Sequence, residues 1–138
     1  ELDAGHFDGV IVPGGFGVAQ NLCDFALEGE SMQVLAPLKD VLDAFREDGK
    51  PIGLICIAPV MVPRLLGEGI AVTVGHDPGV AGAISAMGGL HRSCGVEDIV
   101  VDREHQVVTT PAYMLATRIS DAASGIFKLV DRIDEMLA

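Results

Sequence analysis

Short apolar runs that suit buried strands alternate along this chain with segments whose apolar residues recur at helical spacing. The runs Val10–Val12 and 51–55 are predicted strands, and the segment 31–50 between them has the apolar spacing of a helix. This alternation predicts an α/β domain with a mainly parallel sheet. Ligands of such sheets bind beyond the carboxyl ends of the strands, so residues that directly follow a strand are the first site candidates.

Local signals predict the remaining elements. Pro37 is expected near the start of the helix within 31–50, and Gly49 just after its end. Asp77 and Pro78 suit the N-cap and first position of a further helix. Segment 70–75 is a predicted strand, 58–66 and 112–137 are predicted helices, and 98–111 predicts a hairpin around the polar turn 102–105.

Length, charge and cysteine content narrow the class of protein. The 138 residues are enough for one domain with its own core. A formal net charge of −11 disfavours binding to nucleic acid, and no apolar run is long enough to cross a bilayer. The three cysteines lack CxxC spacing, so we expect free thiols, no zinc cage and a cytoplasmic protein.

The sequence PGGFG at 13–17 directly follows the first predicted strand. It does not continue into a G-x-G-x-x-G nucleotide-binding pattern, because Gln20 stands where the third glycine would be. Glycines after a strand can leave backbone N–H groups free to face a ligand oxygen. A tight turn without any ligand explains the same residues equally well.

Cys56 lies where the strand 51–55 gives way to a predicted helix. A nucleophile elbow holds its nucleophile at such a junction, with the side chain exposed above the sheet. A helix that follows would add positive potential that favours a thiolate. Leu54 is bulkier than the glycine that elbows usually carry there, so a buried and inert cysteine is the alternative interpretation.

Among the four histidines, His76 directly follows the predicted strand 70–75 and so lies at a carboxyl edge. A Cys–His pair can exchange protons during thiol chemistry, which makes His76 a candidate partner of Cys56. An ordinary loop histidine is the alternative. His6, His91 and His105 lie in polar or glycine-rich surroundings and are expected at the surface.

The stretches VIVPGGFG, GLICIAPVMVP, EDIVVD and VVTTPAYMLA together resemble the ElbB family of isoprenoid-biosynthesis proteins with an amidotransferase-like domain. That family belongs to the superfamily of PfpI proteases and class I glutamine amidotransferases. The resemblance implies a flavodoxin-like three-layer α/β sandwich with Cys56 as nucleophile and His76 as its partner. It further implies oxyanion-binding amides at Gly14, Gly15 and Ile57, and a pocket wall of Thr110, Pro111 and Tyr113.

Two departures from the superfamily pattern limit what the resemblance implies. PfpI-like proteases carry a histidine directly after the cysteine, and this chain has Ile57 there. The strand–helix unit that supplies a glutamate in ElbB-like chains has no counterpart in this sequence. We therefore expect residues 1–138 to form a single amidotransferase-like domain that is the C-terminal part of a longer chain. The missing unit would fill an interior gap in the sheet.

Together these features predict a cofactor-free, metal-free, cysteine-dependent enzyme of the glyoxalase kind, acting on small reactive carbonyls. A non-catalytic redox- or stress-responsive thiol protein linked to isoprenoid metabolism is the first alternative. An amidotransferase-like hydrolase is the second. The expected assembly is a homodimer, and neither nucleic acid nor membrane is an expected partner.

Overall fold

A computed structural model of the protein describes residues 2–138. Its strands are β1 (Val10–Val12), β2 (Ile52–Ile55), β3 (Ala71–Val72), β4 (Leu90–His91), β5 (Val100–Asp102) and β6 (Val107–Thr110). Its α-helices are α1 (Phe25–Glu28), α2 (Ala36–Glu47), α3 (Val62–Leu65), α4 (Pro78–Ala86) and α5 (Ile119–Leu137). A π-helical segment covers Val18–Leu22, and 3₁₀ turns cover Ala4–His6, Gly29–Ser31, Ala58–Met61 and Ala112–Met114.

Four of the strands form one sheet in the order β1–β2–β6–β5. Strands β1, β2 and β6 run parallel, and β5 closes the sheet as the antiparallel partner of β6. All four residues of β2 are buried, as expected for a central strand covered on both faces. The parallel sheet and the hairpin of β5 and β6 are confirmed.

The predicted interior gap in the sheet is wrong. Strand β1 pairs directly with β2, with Val10 opposite Ile52 and Val12 opposite Leu54. Among the described residues no strand pairs with the other edge of β1, so this strand ends the sheet. The four strands are therefore contiguous, and none of them needs a further strand between itself and its neighbour.

Helices cover both faces of the sheet and divide the core in two. The larger apolar cluster joins β1 and β2 to α2, α3 and α4, with Leu42, Phe45 and Ile84 at or below 1% exposure. A smaller cluster lies between the other face and α5, and contains Ile55, Leu129 and Ile133. The arrangement is the predicted three-layer α/β sandwich.

Two of the predicted helices are each divided into a 3₁₀ turn and an α-helix. Segment 58–66 is a 3₁₀ turn followed by α3, which places Pro63 in the first helical turn, where its missing N–H is tolerated. Segment 112–137 begins with a 3₁₀ turn and resumes as α5 after Arg118, whose backbone is extended. Pro37, Gly49, Asp77 and Pro78 occupy the helix-end positions that the sequence predicts.

The strand predicted over 70–75 is only two residues long, and β4 beside it was not predicted. Strands β3 and β4 form a separate parallel pair. Beyond Val72 the backbone amides of Thr73, Val74 and Gly75 donate to side-chain atoms rather than to backbone carbonyls of a neighbouring strand. The ladder therefore stops where side chains take over as acceptors.

Helix α5 packs tightly against β6 and the loop before β5 at Gly125. A Cβ atom on Gly125 would lie 2.5 Å from the carbonyl oxygen of Val96 and 2.6 Å from Oγ1 of Thr110. The first of these is a backbone atom, so a methyl group here requires the helix or the loop to move. Gly125 therefore sets the distance at which α5 packs.

Replacing Gly125 by alanine is expected to lower the free energy of unfolding by about 1–3 kcal/mol, because overpacking outweighs the better helix propensity of alanine. The matched control is Gly82→Ala in α4, where nothing lies within 4 Å of the added methyl group. That substitution should leave stability unchanged or raise it by up to about 1 kcal/mol. Urea unfolding followed by circular dichroism measures both, and a Gly125→Ala variant as stable as the parent chain would contradict the packing argument.

Candidate functional site

Cys56 has the strained backbone that the elbow interpretation requires. It directly follows β2 with φ of 64°, in the left-handed region that non-glycine residues avoid. Its amide donates to the carbonyl oxygen of Thr110 at 3.0 Å, which continues the β2–β6 pairing by one step. The residue is half-buried, so its thiol lies at the surface end of the buried strand. Such strain, about 1–2 kcal/mol per residue, concentrates at functional positions.

The glycine turn after β1 lies directly against Cys56. A Cβ atom on Gly14 would collide with Cβ of Cys56 and would lie 2.8 Å from the carbonyl oxygen of Ile55. Only glycine fits there, because the second of these atoms belongs to the buried strand itself. Gly15 is exposed, and a side chain on it would meet nothing within 4 Å. The glycine turn and the cysteine therefore lie in contact, as the sequence predicts.

Three amides around Cys56 have no acceptor among the described residues. They belong to Gly14, Gly15 and Ile57, and none of them donates a hydrogen bond within residues 2–138. Backbone N–H groups near a nucleophile can bind the negative oxygen that forms when the nucleophile adds to a carbonyl. The geometry thus supplies donors of the type that an oxyanion hole uses.

The helix after Cys56 is shorter and less regular than the sequence predicts. The first turn, Ala58–Met61, is 3₁₀, and α3 that follows has four residues. A macrodipole grows from aligned peptide units, so two short segments contribute little of it. The helix that follows therefore adds little positive potential at Cys56.

The loop 110–113 contacts the elbow through its backbone. The carbonyl of Thr110 accepts from Cys56, while its hydroxyl donates to the carbonyl of Asp98 at 2.8 Å. Pro111 is buried, and Ala112 is a second non-glycine residue with positive φ, at 45°. The side chain of Tyr113 is 59% exposed. Of the three predicted wall residues, Thr110 therefore has its side-chain oxygen engaged elsewhere.

His76 lies at the same end of the sheet as Cys56. The chain before it runs along β6 in the direction of that strand, since Ala71 donates to Asp102 and Thr73 to Thr109. The imidazole is exposed, and no hydrogen bond joins it to Cys56 among residues 2–138. Their catalytic pairing stays a prediction.

Two histidines that were expected at the surface are half-buried, so that expectation is wrong. Nε2 of His91 accepts from the amide of Val74 at 3.2 Å, and burial lowers the pKa of the imidazole. Nδ1 of His105 lies 2.9 Å from Oδ1 of Asp102. Burial raises the pKa of Asp102, but hydrogen bonds from Ala71 and His105 outweigh it, and the net shift is downward. His6 is exposed, as expected.

The other two cysteines have different surroundings from Cys56. Cys23 is buried, and burial raises the pKa of its thiol. Burial also raises the pKa of Cys94, whose sulfur lies 3.4 Å from Oγ1 of Thr73. Both cysteines are therefore less readily converted to thiolate than an exposed thiol.

Neither a metal-binding cluster nor a membrane-spanning helix is present in residues 2–138. No group of three or more histidine, cysteine or acidic side chains there could hold a metal ion. Within the same residues, no helix has the length and apolar character needed to cross a membrane.

Cys56 is expected to react with iodoacetamide faster than Cys23 and Cys94 at neutral pH. The reason is that burial disfavours the thiolate of the other two, while Cys56 lies at a strained elbow beside the glycine turn. Limited labelling followed by peptide mapping gives the three rates in one sample. Faster labelling of Cys94, the other half-buried thiol, would reject the elbow as the reactive position.

The chain is similar in sequence to known proteins over almost its whole length. No protein-family model matches the chain. The rat (Rattus norvegicus) protein named ES1 protein homolog, mitochondrial, is 39% identical over 145 residues, covering 99% of this chain and 54% of the relative. The human protein named glutamine amidotransferase-like class 1 domain-containing protein 3, mitochondrial, is 41% identical over 144 residues, covering 98% and 53%. The chain thus spans about half the length of these relatives.

Solved structures share the fold. The isoprenoid biosynthesis protein with amidotransferase-like domain from Ehrlichia chaffeensis superposes with a TM-score of 0.88 at 28% identity, covering 100% of this chain and 63% of that one. Glyoxalase III from Candida albicans superposes with a TM-score of 0.58 at 16% identity, covering 93% and 59%. At that identity the second likeness establishes the fold alone.

One expectation is corrected by these relatives. Both are named as mitochondrial proteins, which overturns the expected cytoplasmic localisation. Free thiols indicate a reducing environment, and cysteine spacing does not distinguish one such compartment from another. The chain has the flavodoxin-like fold of the PfpI superfamily, as its resemblance to the ElbB family implied. It is a homologue of the ES1 and glutamine amidotransferase-like class 1 domain-containing proteins.

Proposed function

We propose that this domain carries a cofactor-free, cysteine-dependent activity on small reactive carbonyls, of the glyoxalase kind. The observation that carries the proposal is a half-buried thiol on a left-handed elbow that lies against the glycine turn, together with the amides of Gly14, Gly15 and Ile57, which have no acceptor within residues 2–138. A carbonyl compound offers an electrophilic carbon to the thiol and an oxygen to the amides. The shared fold with a glyoxalase III is consistent with this chemistry without specifying it.

In the first step, the Cys56 thiolate forms a C–S bond to the aldehyde carbon of a 2-oxoaldehyde. The aldehyde oxygen becomes an alkoxide that accepts hydrogen bonds from the free amides and then takes up a proton, giving a hemithioacetal. His76, as general base, removes the proton from the former aldehyde carbon while the oxygen of the neighbouring carbonyl is protonated, which gives an enediol. A proton is then returned to that neighbouring carbon, as the hydroxyl of the first carbon loses its proton and becomes a carbonyl.

The proton shift oxidises the first carbon to a thioester and reduces the second to an alcohol. Water then cleaves the thioester, which regenerates the thiol and releases a 2-hydroxy acid. The oxidation and the reduction occur within one molecule, so the step balances without an external oxidant, reductant or cofactor.

A redox-responsive thiol is the second candidate, and one observation favours it. Within residues 2–138, no side-chain base forms a hydrogen bond to Cys56. A thiolate stabilised by amides alone can be oxidised by peroxide to a sulfenic or sulfinic acid, and this reaction needs no general base. The hydrolase alternative is the weakest, because Ile57 occupies the position of the histidine that follows the cysteine in PfpI-like proteases.

Turnover of methylglyoxal by the purified protein separates the two candidates. The expected product is a 2-hydroxy acid, and Cys56→Ala should reduce its formation to the uncatalysed rate because no other thiol lies at the elbow. Cys94→Ala, which removes the other half-buried thiol, is the matched control and should retain activity. No turnover together with stoichiometric oxidation of Cys56 by peroxide would establish the redox role instead.

His76→Ala is expected to lower kcat by roughly 10²–10⁴-fold, the contribution typical of a general base, with little change in the labelling rate of Cys56. His6→Ala, at another exposed histidine, controls for the loss of a surface imidazole. Steady-state kinetics on methylglyoxal measures both variants. Full activity in His76→Ala would exclude this residue as the proton carrier.

A further inference from the structure

Three successive amides before His76 are held by side chains. Thr73 donates to Oγ1 of Thr109 at 3.0 Å, Val74 to Nε2 of His91 at 3.2 Å, and Gly75 to Oγ1 of Thr73 at 2.9 Å. Thr73, Val74 and Gly75 are buried, so water does not replace these acceptors. The position of the segment that leads to His76 therefore depends on three side-chain atoms.

His91 is the titratable member of the three acceptors. It belongs to β4, opposite Val72 of β3, and the β3–β4 ladder includes the bond from Arg92 to the carbonyl of Val72. The imidazole reaches past this last rung to Val74. An imidazole accepts a hydrogen bond only through an unprotonated ring nitrogen, so the neutral form is the one that fits.

We propose that His91 is a positioning residue that holds the His76 segment in place through the Val74 amide, and that its protonation releases this segment. Protonated Nε2 would place a second donor against the buried amide of Val74. That amide would then lose its acceptor, and the segment leading to His76 would keep only the bond to Thr109 of its two hydrogen bonds to other elements. The consequence for His76 rests on the proposed function, whereas the release of the segment does not.

Few charged groups lie around His91. Arg92 is adjacent in sequence and exposed; Asp102 accepts from Ala71 at the start of β3 and pairs with His105; Asp77 caps α4. The helix α4 itself carries no charged side chain, and Cys94 contacts Thr73 rather than His91. Burial is the cause of the lowered pKa of His91, which agrees with an imidazole held neutral by its surroundings.

The direction of the pH dependence follows from this arrangement. The folded chain binds the His91 proton less readily than the unfolded chain, whose histidines titrate near about 6.5. The stabilising contribution is therefore fully present above about pH 6.5 and is lost as the pH falls below that value. The His76 segment should be secured at neutral pH and released in mild acid.

Hydrogen exchange resolved by NMR tests the proposal in the intact chain. The protection factor of the Val74 amide, corrected for the intrinsic pH dependence of exchange, should fall by roughly tenfold between about pH 7.5 and a pH below the midpoint of the His91 ring titration, as expected for one lost hydrogen bond. The fall should follow the titration of the His91 ring signals. Unchanged protection of Val74 after His91 has visibly titrated would overturn the proposal.

Two variants of His91 and one control variant extend the test. His91→Gln keeps a neutral acceptor near the position of Nε2 and should protect Val74 equally at both pH values, whereas His91→Leu should leave it unprotected at both. His6→Gln, at an exposed histidine, should behave like the parent chain. A Gln variant that behaves like the Leu variant would also overturn the proposal, and the wild-type titration decides the matter if the Leu variant does not fold.

Kinetics connects the positioning role to the proposed activity. His91→Leu should lower kcat on methylglyoxal with little effect on KM, and His91→Gln should restore kcat and remove its decline in mild acid. Absence of turnover in the parent chain would reject the proposed function while the exchange measurements still decide the role of His91. Exchange behaviour as predicted together with an unaltered kcat in His91→Leu would contradict the link to His76.

Discussion

The hydrogen bond from the Cys56 amide to the Thr110 carbonyl joins the ends of two central strands, and the candidate site depends on it. It continues the β2–β6 register, in which Ile55 lies opposite Thr110, into a residue with left-handed backbone. Without this bond Cys56 could relax by about 1–2 kcal/mol to an ordinary conformation, and the thiol would no longer stand at the elbow. The register of a buried parallel pair thus enforces the strain.

Ala112 shows the same principle on the neighbouring strand. It has a φ of 45° and lies two residues after the end of β6, and its side chain is buried in the small apolar cluster together with Ile55. Two strained non-glycine residues therefore follow adjacent strands at one edge of the sheet. The hydrogen bond to Thr110 holds the backbone of Cys56 and burial holds that of Ala112, since each residue would otherwise relax to a more favourable conformation.

The sequence predicts those parts of the fold that are set by local signals. Strand Val10–Val12, the cap at Asp77 and the hairpin of β5 and β6 follow from apolar patterning and turn chemistry, which act within a few residues. Strand β4 and the burial of His91 could not be predicted in this way. Two residues are too few for a periodic pattern, and the imidazole acquires its role only by contact with Val74, seventeen positions away.

The candidate site is predictable to the same extent. Cys56 and the glycine turn could be placed together because parallel strands end at one edge, and the collision expected for a Cβ on Gly14 bears this out. The hydroxyl of Thr110 could not be assigned, because its partner is the carbonyl of Asp98 across the hairpin. The error of an interior gap came from assuming where β1 lies in the sheet, which depends on long-range pairing.

The net charge of −11 makes the free amides more important than they would be in a neutral protein. A negative oxygen forming at Cys56 is repelled by the acidic surface, but that repulsion is screened over about 8 Å at physiological salt. Backbone dipoles in hydrogen-bond contact act well inside this distance and need no counter-charge. In the proposed reaction, Gly14, Gly15 and Ile57 would therefore stabilise a developing anion in a chain whose overall field opposes it, whereas a neutral carbonyl substrate carries no charge for that field to repel.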